Sequence, residues 1–213
     1  MRRTNKKNKI SKIISNHIYE NLKSYIIVTI ILLIGIVLGV IYINNINQDL
    51  ANEIKEYINN FVNTLKDNYT IDKVELMKNT IISNSILVVT MWFVGSTVIG
   101  IPIVLGIIAY RGFCIGYTIS AALITLGSPG GIIFSISSML LQNLLFIPAI
   151  LALGVSGIKL YKSIMKDKRR ENIKIEIIRH TLFSIFMLII LLVASVIETY
   201  LSTELIIMTI NFI

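Results

Sequence analysis

The amino-acid sequence predicts an all-α integral membrane protein, a bundle of five transmembrane helices that forms a single membrane domain. Of the 213 residues, 54% are hydrophobic and only 15% are charged, and the mean hydropathy is +0.77. A soluble domain usually carries about 25% charged residues, so too little polar material is present to cover a water-facing surface. The apolar residues also fall in long uncharged runs with clusters of basic residues between them.

The chain begins with a basic segment, residues 1–24, which we expect to be cytoplasmic. It is followed by 19 uncharged residues at 25–43. As a helix this run is about 28 Å long, close to the ~30 Å of a bilayer core. The run is longer than the apolar part of a typical signal peptide, and no small-residue cleavage pattern follows it. We therefore expect an uncleaved first transmembrane helix that runs from the cytoplasm to the outside.

Residues 44–84 form a polar external segment in which one apolar stripe recurs at helical spacing. The spacing predicts a short amphipathic helix. The stripe is either a partner-binding or membrane-binding surface, or the face that packs over the protein's own bundle. The sequence supports these interpretations equally, and the residues concerned are Leu50, Ile54, Ile58, Phe61 and Leu65.

Residues 79–158 contain one charged residue, Arg111, and are long enough to cross the membrane more than once. We predict a second span at 85–110, with a cytoplasmic turn at Arg111 as the preference for inside positive charge requires. The run at 112–126 then returns outward. Because this third span is short, it is expected to be thin, tilted or re-entrant.

The sequence Gly-Ser-Pro-Gly-Gly at 127–131 predicts a tight external turn, since it concentrates chain-breaking residues. A fourth span at 132–158 leads to a basic cytoplasmic loop at 159–180. The fifth span is predicted at 181–197, and residues 198–213 form a short external tail with two acids.

Charge distribution gives the orientation, with the amino terminus in the cytoplasm and the carboxyl terminus outside. In this arrangement 16 of the 20 Lys and Arg residues lie on the cytoplasmic side, as the positive-inside rule demands. The net charge of +8 is thus explained by membrane orientation, and we expect membrane lipid rather than nucleic acid as a partner.

The sequence contains no recognisable catalytic or metal-binding set. His17 and His180 lie in basic segments and have no helically spaced second histidine. Cys114 is the single cysteine, so no intramolecular disulfide is possible. Glu198 and Glu204 are placed at or beyond the outer end of the last span. We therefore expect no enzyme activity and no cofactor.

Arg111 has two interpretations, of which the predicted topology favours the second. It is either an intramembrane cation that awaits an anion or a carboxylate of a partner, or an interfacial arginine that extends to the cytoplasmic headgroups.

Gln142 and Asn143 fall near the middle of the fourth span, where unpaired amides are costly. They are interpreted as a contact between helices of the bundle, with a polar pathway or an intersubunit contact as the alternative. Pro148 should free a carbonyl near residues 142–144 that could accept a hydrogen bond from these amides.

Two pairs of glycines have the spacing that allows close helix approach, Gly35 with Gly39 and Gly112 with Gly116. Such spacings are common in membrane helices, so they are weak evidence for any particular dimer. A homo-oligomer remains an option.

The sequence RGFCIGYT at 111–118, the glycine-rich turn after it, and LQNLLFIPA at 141–149 resemble the stage II sporulation protein M family. The five-span layout and the basic amino terminus agree over essentially the whole chain. The residues that bear the resemblance are Arg111, Gly112, Phe113, Gly116, Gln142, Asn143 and Pro148, and none acquires a catalytic role from it.

The resemblance implies a non-enzymatic scaffold in the mother-cell membrane. It would anchor stage II sporulation proteins P and D, which cut peptidoglycan during septal thinning and engulfment of the forespore. The competing interpretation is a permease subunit with a polar path near Arg111, Gln142 and Pro148, which the absence of acids within the predicted spans disfavours.

Overall fold

The computed structural model describes residues 16, 18–66, 72–97, 99–166 and 170–210, and the regular structure in these ranges is all helical. Five stretches are long and apolar enough to cross a membrane, which confirms the predicted all-α fold with five spans. Most of the predicted basic segment 1–24, with His17, lies outside the described residues. The elements are α1 (Leu22–Asn44), α2 (Gln48–Lys66), α3 (Lys73–Gly95), α4 (Gly100–Lys166), α5 (Arg170–Ile197), a π-helical turn (Glu198–Ser202) and α6 (Thr203–Ile210).

The helix α4 is a hairpin of two arms that reverses at one residue. Only Gly127 leaves the helical conformation, with φ 75° and ψ 171°, so the arms are residues 100–126 and 128–166. A positive φ is accessible to glycine at little cost. The predicted turn over 127–131 is thus shorter than expected, because Pro129 fits the first turn of the second arm, where its missing N–H is not needed.

The predicted second span at 85–110 is instead parts of two helices. The helix α3 ends at Gly95 and α4 begins at Gly100. The hydroxyls of Ser96 and Thr97 donate to the carbonyls of Trp92 and Val94 at 2.8 Å each. Two backbone carbonyls in the last turn of α3 thus gain hydrogen-bond donors. The third span therefore starts at Gly100 and not at residue 112, so the first arm is long enough to cross without being re-entrant.

The external segment predicted at 44–84 contains α2 and the beginning of α3. The carboxylate of Asp72 accepts hydrogen bonds from the backbone N–H groups of Val74 at 2.9 Å and Glu75 at 3.1 Å. This N-cap satisfies two orphan donors and starts α3 twelve residues earlier than the sequence suggested.

The fifth span does not end at residue 197 with a separate tail. The helix continues through the π-helical turn into α6, and the apolar stretch runs over Ile173–Thr209. At 1.5 Å per residue this stretch is about 55 Å long, well beyond the ~30 Å bilayer core. Glu198 is therefore inside a continuous helix rather than beyond its end.

The second arm of α4 is the central helix of the bundle. In its most apolar stretch 61% of the residues are buried, against 28% or fewer in each of the other four spans. Side chains from α1, α3, α5 and both arms of α4 form one core around it, which includes Val28, Met91, Ile108, Ile150, Leu153 and Leu191.

The bundle has two ends of different character. At the end named here the basic end, Lys162 donates to the hydroxyl of Ser24 at 3.0 Å, and Lys159 and Arg179 lie nearby. At the opposite end, the cap end, α2 packs over the α4 hairpin and α6. Their assignment to the cytoplasm and the outside remains a prediction from charge.

Candidate functional site

The motif that begins at Arg111 lies in the middle of the first arm of α4. Arg111 is eleven residues, about 16 Å, from the start of this helix at Gly100. The prediction that it marks a cytoplasmic turn is therefore wrong, because the chain reverses earlier, between Gly95 and Gly100. Arg111 thus lies within a stretch, Gly100–Met139, that is long and apolar enough to cross a membrane.

The two glycine pairs found in the sequence meet each other within one chain. A Cβ atom added at Gly35 or Gly39 would collide with the backbone carbonyls of Ala109 or Phe113. Added at Gly112 or Gly116, it would collide in turn with the carbonyls of Leu32 or Ile36. The pairs thus form a reciprocal close crossing of α1 with the first arm of α4, which is the contact that such spacing allows.

Phe113 fixes the same crossing at its edge. Its ring lies 5.6 Å from the ring of Tyr42 in an edge-to-face arrangement, and 6.1 Å from the ring of Tyr117. Aromatic pairs at these distances are favourable beyond the area that they bury. Residues 112–116 of the motif therefore position α1.

Arg111 points the other way, toward the second arm of the hairpin. Its guanidinium carbon lies 4.9 Å from the ring centre of Phe146, in a cation–π contact. Arg111 is partly exposed. The ion pairs among the described residues are Lys73 with Glu204 and Arg179 with Glu176, so no carboxylate of the described chain neutralises Arg111.

Gln142, Asn143 and Pro148 lie on the second arm, near Phe146. The amide of Asn143 donates to the carbonyl of Met139 at 3.0 Å, one turn earlier in its own helix. The expected bond to a carbonyl freed by Pro148 is thus not formed, and the amide does not bridge two helices. Among the described residues no hydrogen-bond partner of the Gln142 side chain is found.

A groove of about 500 Å³ opens between the two arms of α4. Its lining is almost entirely apolar, with Asn143 and Ser135 as the polar contributors. Ser135 is only 8% exposed, and its hydroxyl has no hydrogen-bond partner among the described residues. Sequence reasoning missed this groove, since it depends on how the arms of the hairpin diverge.

The apolar stripe of α2 packs in part on the bundle. Leu65 and its neighbour Val62 are 7% and 4% exposed, and they form a small core with Ala122 and Phe134 of the hairpin. Phe61 contacts Phe134 edge to face at 6.3 Å but remains 41% exposed. Ile58 is partly buried against this core, and Leu50 and Ile54 are half-buried toward the start of α2.

Polar contacts between α3 and α5 were missed because the sequence placed Asn84 outside the membrane. Asn84 is buried and donates to the hydroxyl of Ser195 at 2.8 Å. Trp92 donates to the hydroxyl of Thr181 at 3.0 Å. Lys73 pairs with Glu204 at 2.5 Å at the cap end. These contacts align α3 with α5 and with α6, the helix that continues α5.

The basic loop predicted at 159–180 is largely helical, since α4 continues to Lys166 and α5 begins at Arg170, and His180 is buried. It is 2% exposed, its Nδ1 lies 2.8 Å from the hydroxyl of Ser156, and Gly95 leaves room for its ring. The Oε2 atom of Glu198 is also buried, without a hydrogen-bond partner among the described residues. Across all the residues that the structure describes, no three His, Cys, Asp or Glu side chains are grouped as metal ligands would be.

A protein-family model covers most of the chain. The family model described as stage II sporulation protein M matches residues 28–203, from α1 to the start of α6. The matched stretch contains the glycine crossing, Arg111 and the groove. No curated protein and no solved structure matches the chain.

Proposed function

Because the chain belongs to the stage II sporulation protein M family, we propose that it is a non-enzymatic scaffold for peptidoglycan-degrading enzymes at the sporulation septum. Membership implies a role in sporulation, and the five candidate spans make the chain a multi-pass membrane protein. In the proposal, the scaffold lies in the mother-cell membrane and holds stage II sporulation proteins P and D during septal thinning and engulfment.

The packing of the bundle is the observation that supports a scaffold over a permease. The core packed around the second arm of α4 consists of apolar side chains that are almost fully buried, with Val28, Ile108 and Leu191 at 0% exposure. A substrate path would need polar groups that face a common interior. Arg111 instead packs on Phe146, and Asn143 bonds within its own helix and faces the groove between the arms of α4.

The cap end is the part of the molecule that we propose meets the hydrolases. The helix α2 packs there on the hairpin through Val62 and Leu65. Leu65 and Ile58 contact the bundle, so they are removed from the predicted partner surface. The residues of that surface that remain are Leu50, Ile54 and Phe61. Phe61 retains 41% exposure, and Tyr57 beside it is 76% exposed.

Depletion of the chain in sporulating cells tests the proposal. Fluorescent fusions of the two hydrolases should leave the septum when the chain is depleted and return when the wild-type chain is restored. The purified chain should release no soluble fragments from peptidoglycan, while a purified hydrolase added as a control does. Hydrolases that stay at the septum without the chain would exclude the scaffold, and cleavage by the pure chain would exclude a non-enzymatic role.

A further inference from the structure

Arg111 is placed too deep in the bundle to be explained as a headgroup anchor. It is about 16 Å along the first arm from Gly100. A Cβ atom added at the next residue, Gly112, would collide with the carbonyl of Leu32 in the middle of α1. An arginine that extends to the headgroups directs its side chain toward the nearer membrane edge. Here the guanidinium packs on Phe146, a core residue with 4% exposure.

The charge of Arg111 is not balanced within the described chain. An intramembrane arginine is costly and is usually paired or faces a polar cavity. The contact with Phe146 satisfies one face of the guanidinium only. Its five N–H donors still require hydrogen-bond acceptors. The side chain is partly exposed, so an acceptor can reach it from outside the chain. A carboxylate from another chain has the charge and geometry that this group lacks.

The groove between the arms of α4 lies about one helical turn from Arg111 along the first arm. Ile115 lines the groove and lies one turn after Arg111, on the same face of the first arm. On the second arm, Asn143 lines it three residues before Phe146. On the first arm the groove thus begins one turn after Arg111 and extends toward the cap end, and about 500 Å³ of apolar space is available for the side chains of a helix.

The groove also contains polar groups that lipid tails would leave unsatisfied. Ser135 is more than nine-tenths buried, and its hydroxyl has no partner among the described residues. The carbonyl oxygen of Asn143 is an acceptor, since its amide nitrogen already donates to Met139. A polypeptide can supply donors and acceptors at this depth, whereas hydrocarbon chains cannot.

We propose that this groove seats one transmembrane helix of another membrane protein, and that an Asp or Glu in the middle of that helix pairs with Arg111. The inference rests on the proposed scaffold function. The helix in the groove would be the membrane anchor of a protein that the scaffold holds. Charge complementarity selects a helix with an acid over an uncharged one, and the apolar lining selects a membrane-embedded partner over a soluble one.

A defined probe tests the groove without any sporulation protein. The full chain is reconstituted in phosphatidylcholine vesicles with a fluorescent synthetic helix of Leu and Ala that carries one central Glu. The same helix with Gln is the control. By energy transfer, the wild-type chain should bind the Glu helix about tenfold more tightly, the preference expected of one polar contact in a membrane. The Arg111→Gln variant should lose the preference, and Arg111→Lys should keep part of it.

Two tryptophan substitutions separate the groove from the lipid-facing surface. Ile136→Trp fills the groove and should weaken binding of both helices. Val37→Trp, at a position of α1 that is 55% exposed, should leave binding unchanged. Melting in detergent establishes that each variant is folded. If Arg111→Gln does not fold, the Lys variant and the groove variant decide the matter.

Three outcomes would overturn the proposal. The first is equal binding of the Glu and Gln helices, and the second is a preference that survives Arg111→Gln. The third is loss of the preference when phosphatidylglycerol is added, which would assign Arg111 to a lipid phosphate. The assay contains no wall hydrolase, so a negative result would overturn the helix-binding groove and leave the scaffold proposal standing. Loss or retention of the hydrolases at the septum tests the scaffold proposal separately.

Discussion

At the scale of single residues, glycine does two unrelated things in this protein. Gly127 supplies a positive φ that reverses the hairpin in one residue. The glycines at 35, 39, 112 and 116 adopt ordinary helical conformations and are needed because the neighbouring backbone occupies the space of a Cβ. A glycine can therefore be required for its conformation or for its missing side chain, and only contacts distinguish the two.

Gly116→Ala should destabilise the bundle by about 1–3 kcal/mol, because its Cβ would meet the carbonyl of Ile36 and force α1 away from α4. Gly106→Ala is the matched control in the same arm. No atom lies within 4 Å of its added Cβ, so this change should be neutral or slightly stabilising. Thermal unfolding in detergent measures both. Equal stability of the two variants would contradict the close crossing.

At the scale of the elements, the amphipathic pattern of α2 resolves into two parts. Val62 and Leu65 bury against Ala122 and Phe134, so this part of the stripe serves the protein's own packing. Phe61 lies at the edge and is 41% exposed. The periodicity predicts an apolar face but cannot identify what covers it, because the same spacing suits a bundle, a partner or a membrane.

Val62→Asp should release α2 from the hairpin, since it places a carboxylate in an apolar contact. Amide exchange in α2 should become roughly tenfold faster or more, a ratio equivalent to about 1.4 kcal/mol. Phe61→Asp should leave exchange in α2 near the wild-type rate because an exposed position tolerates the charge.

The two variants also distinguish packing from partner contact in sporulating cells. If Phe61 contacts a hydrolase, Phe61→Asp should reduce its septal localisation while α2 stays docked. Unchanged localisation would remove Phe61 from the partner surface. Unchanged exchange in Val62→Asp would contradict the packing of α2 on the hairpin.

At the scale of the whole molecule, the helices alternate in direction between the basic end and the cap end. Lys73 with Glu204 marks the cap end of α3 and α6, and His180 beside Gly95 marks the basic end of α3. The charge pattern predicts that the basic end faces the cytoplasm. Arg111 lies within a helix, so it no longer contributes to this argument. The basic residues of 1–24 and of 159–180 still support it.

Single cysteines introduced into a Cys114→Ser chain test the orientation. Asn60→Cys and Ser128→Cys should react with a membrane-impermeant maleimide in intact cells, since both are exposed at the predicted outer side. Thr97→Cys should react only after the cells are permeabilised. Labelling of Asn60→Cys only after permeabilisation would reverse the orientation, and labelling of Thr97→Cys in intact cells would contradict a cytoplasmic turn between α3 and α4.

Composition and local pattern were enough to determine the membrane class, the all-helical fold and the number of spans, because hydropathy and run length are properties of short stretches. The residues that resemble the family were also visible in the sequence. The boundaries of the spans between residues 79 and 158 were not, since a chain reversal at Gly127 or between Gly95 and Gly100 needs no charged residue to mark it.

Only the tertiary structure decided what Arg111 and the glycine pairs do. The depth of Arg111 depends on where the preceding helix ends, and its contact with Phe146 depends on how the hairpin closes. The spacing of the glycine pairs suits either a dimer or an internal contact. In the structure they allow the backbones of α1 and α4 to approach closely within one chain. A sequence records which residues permit close approach, whereas the choice of partner is a property of the packed bundle as a whole.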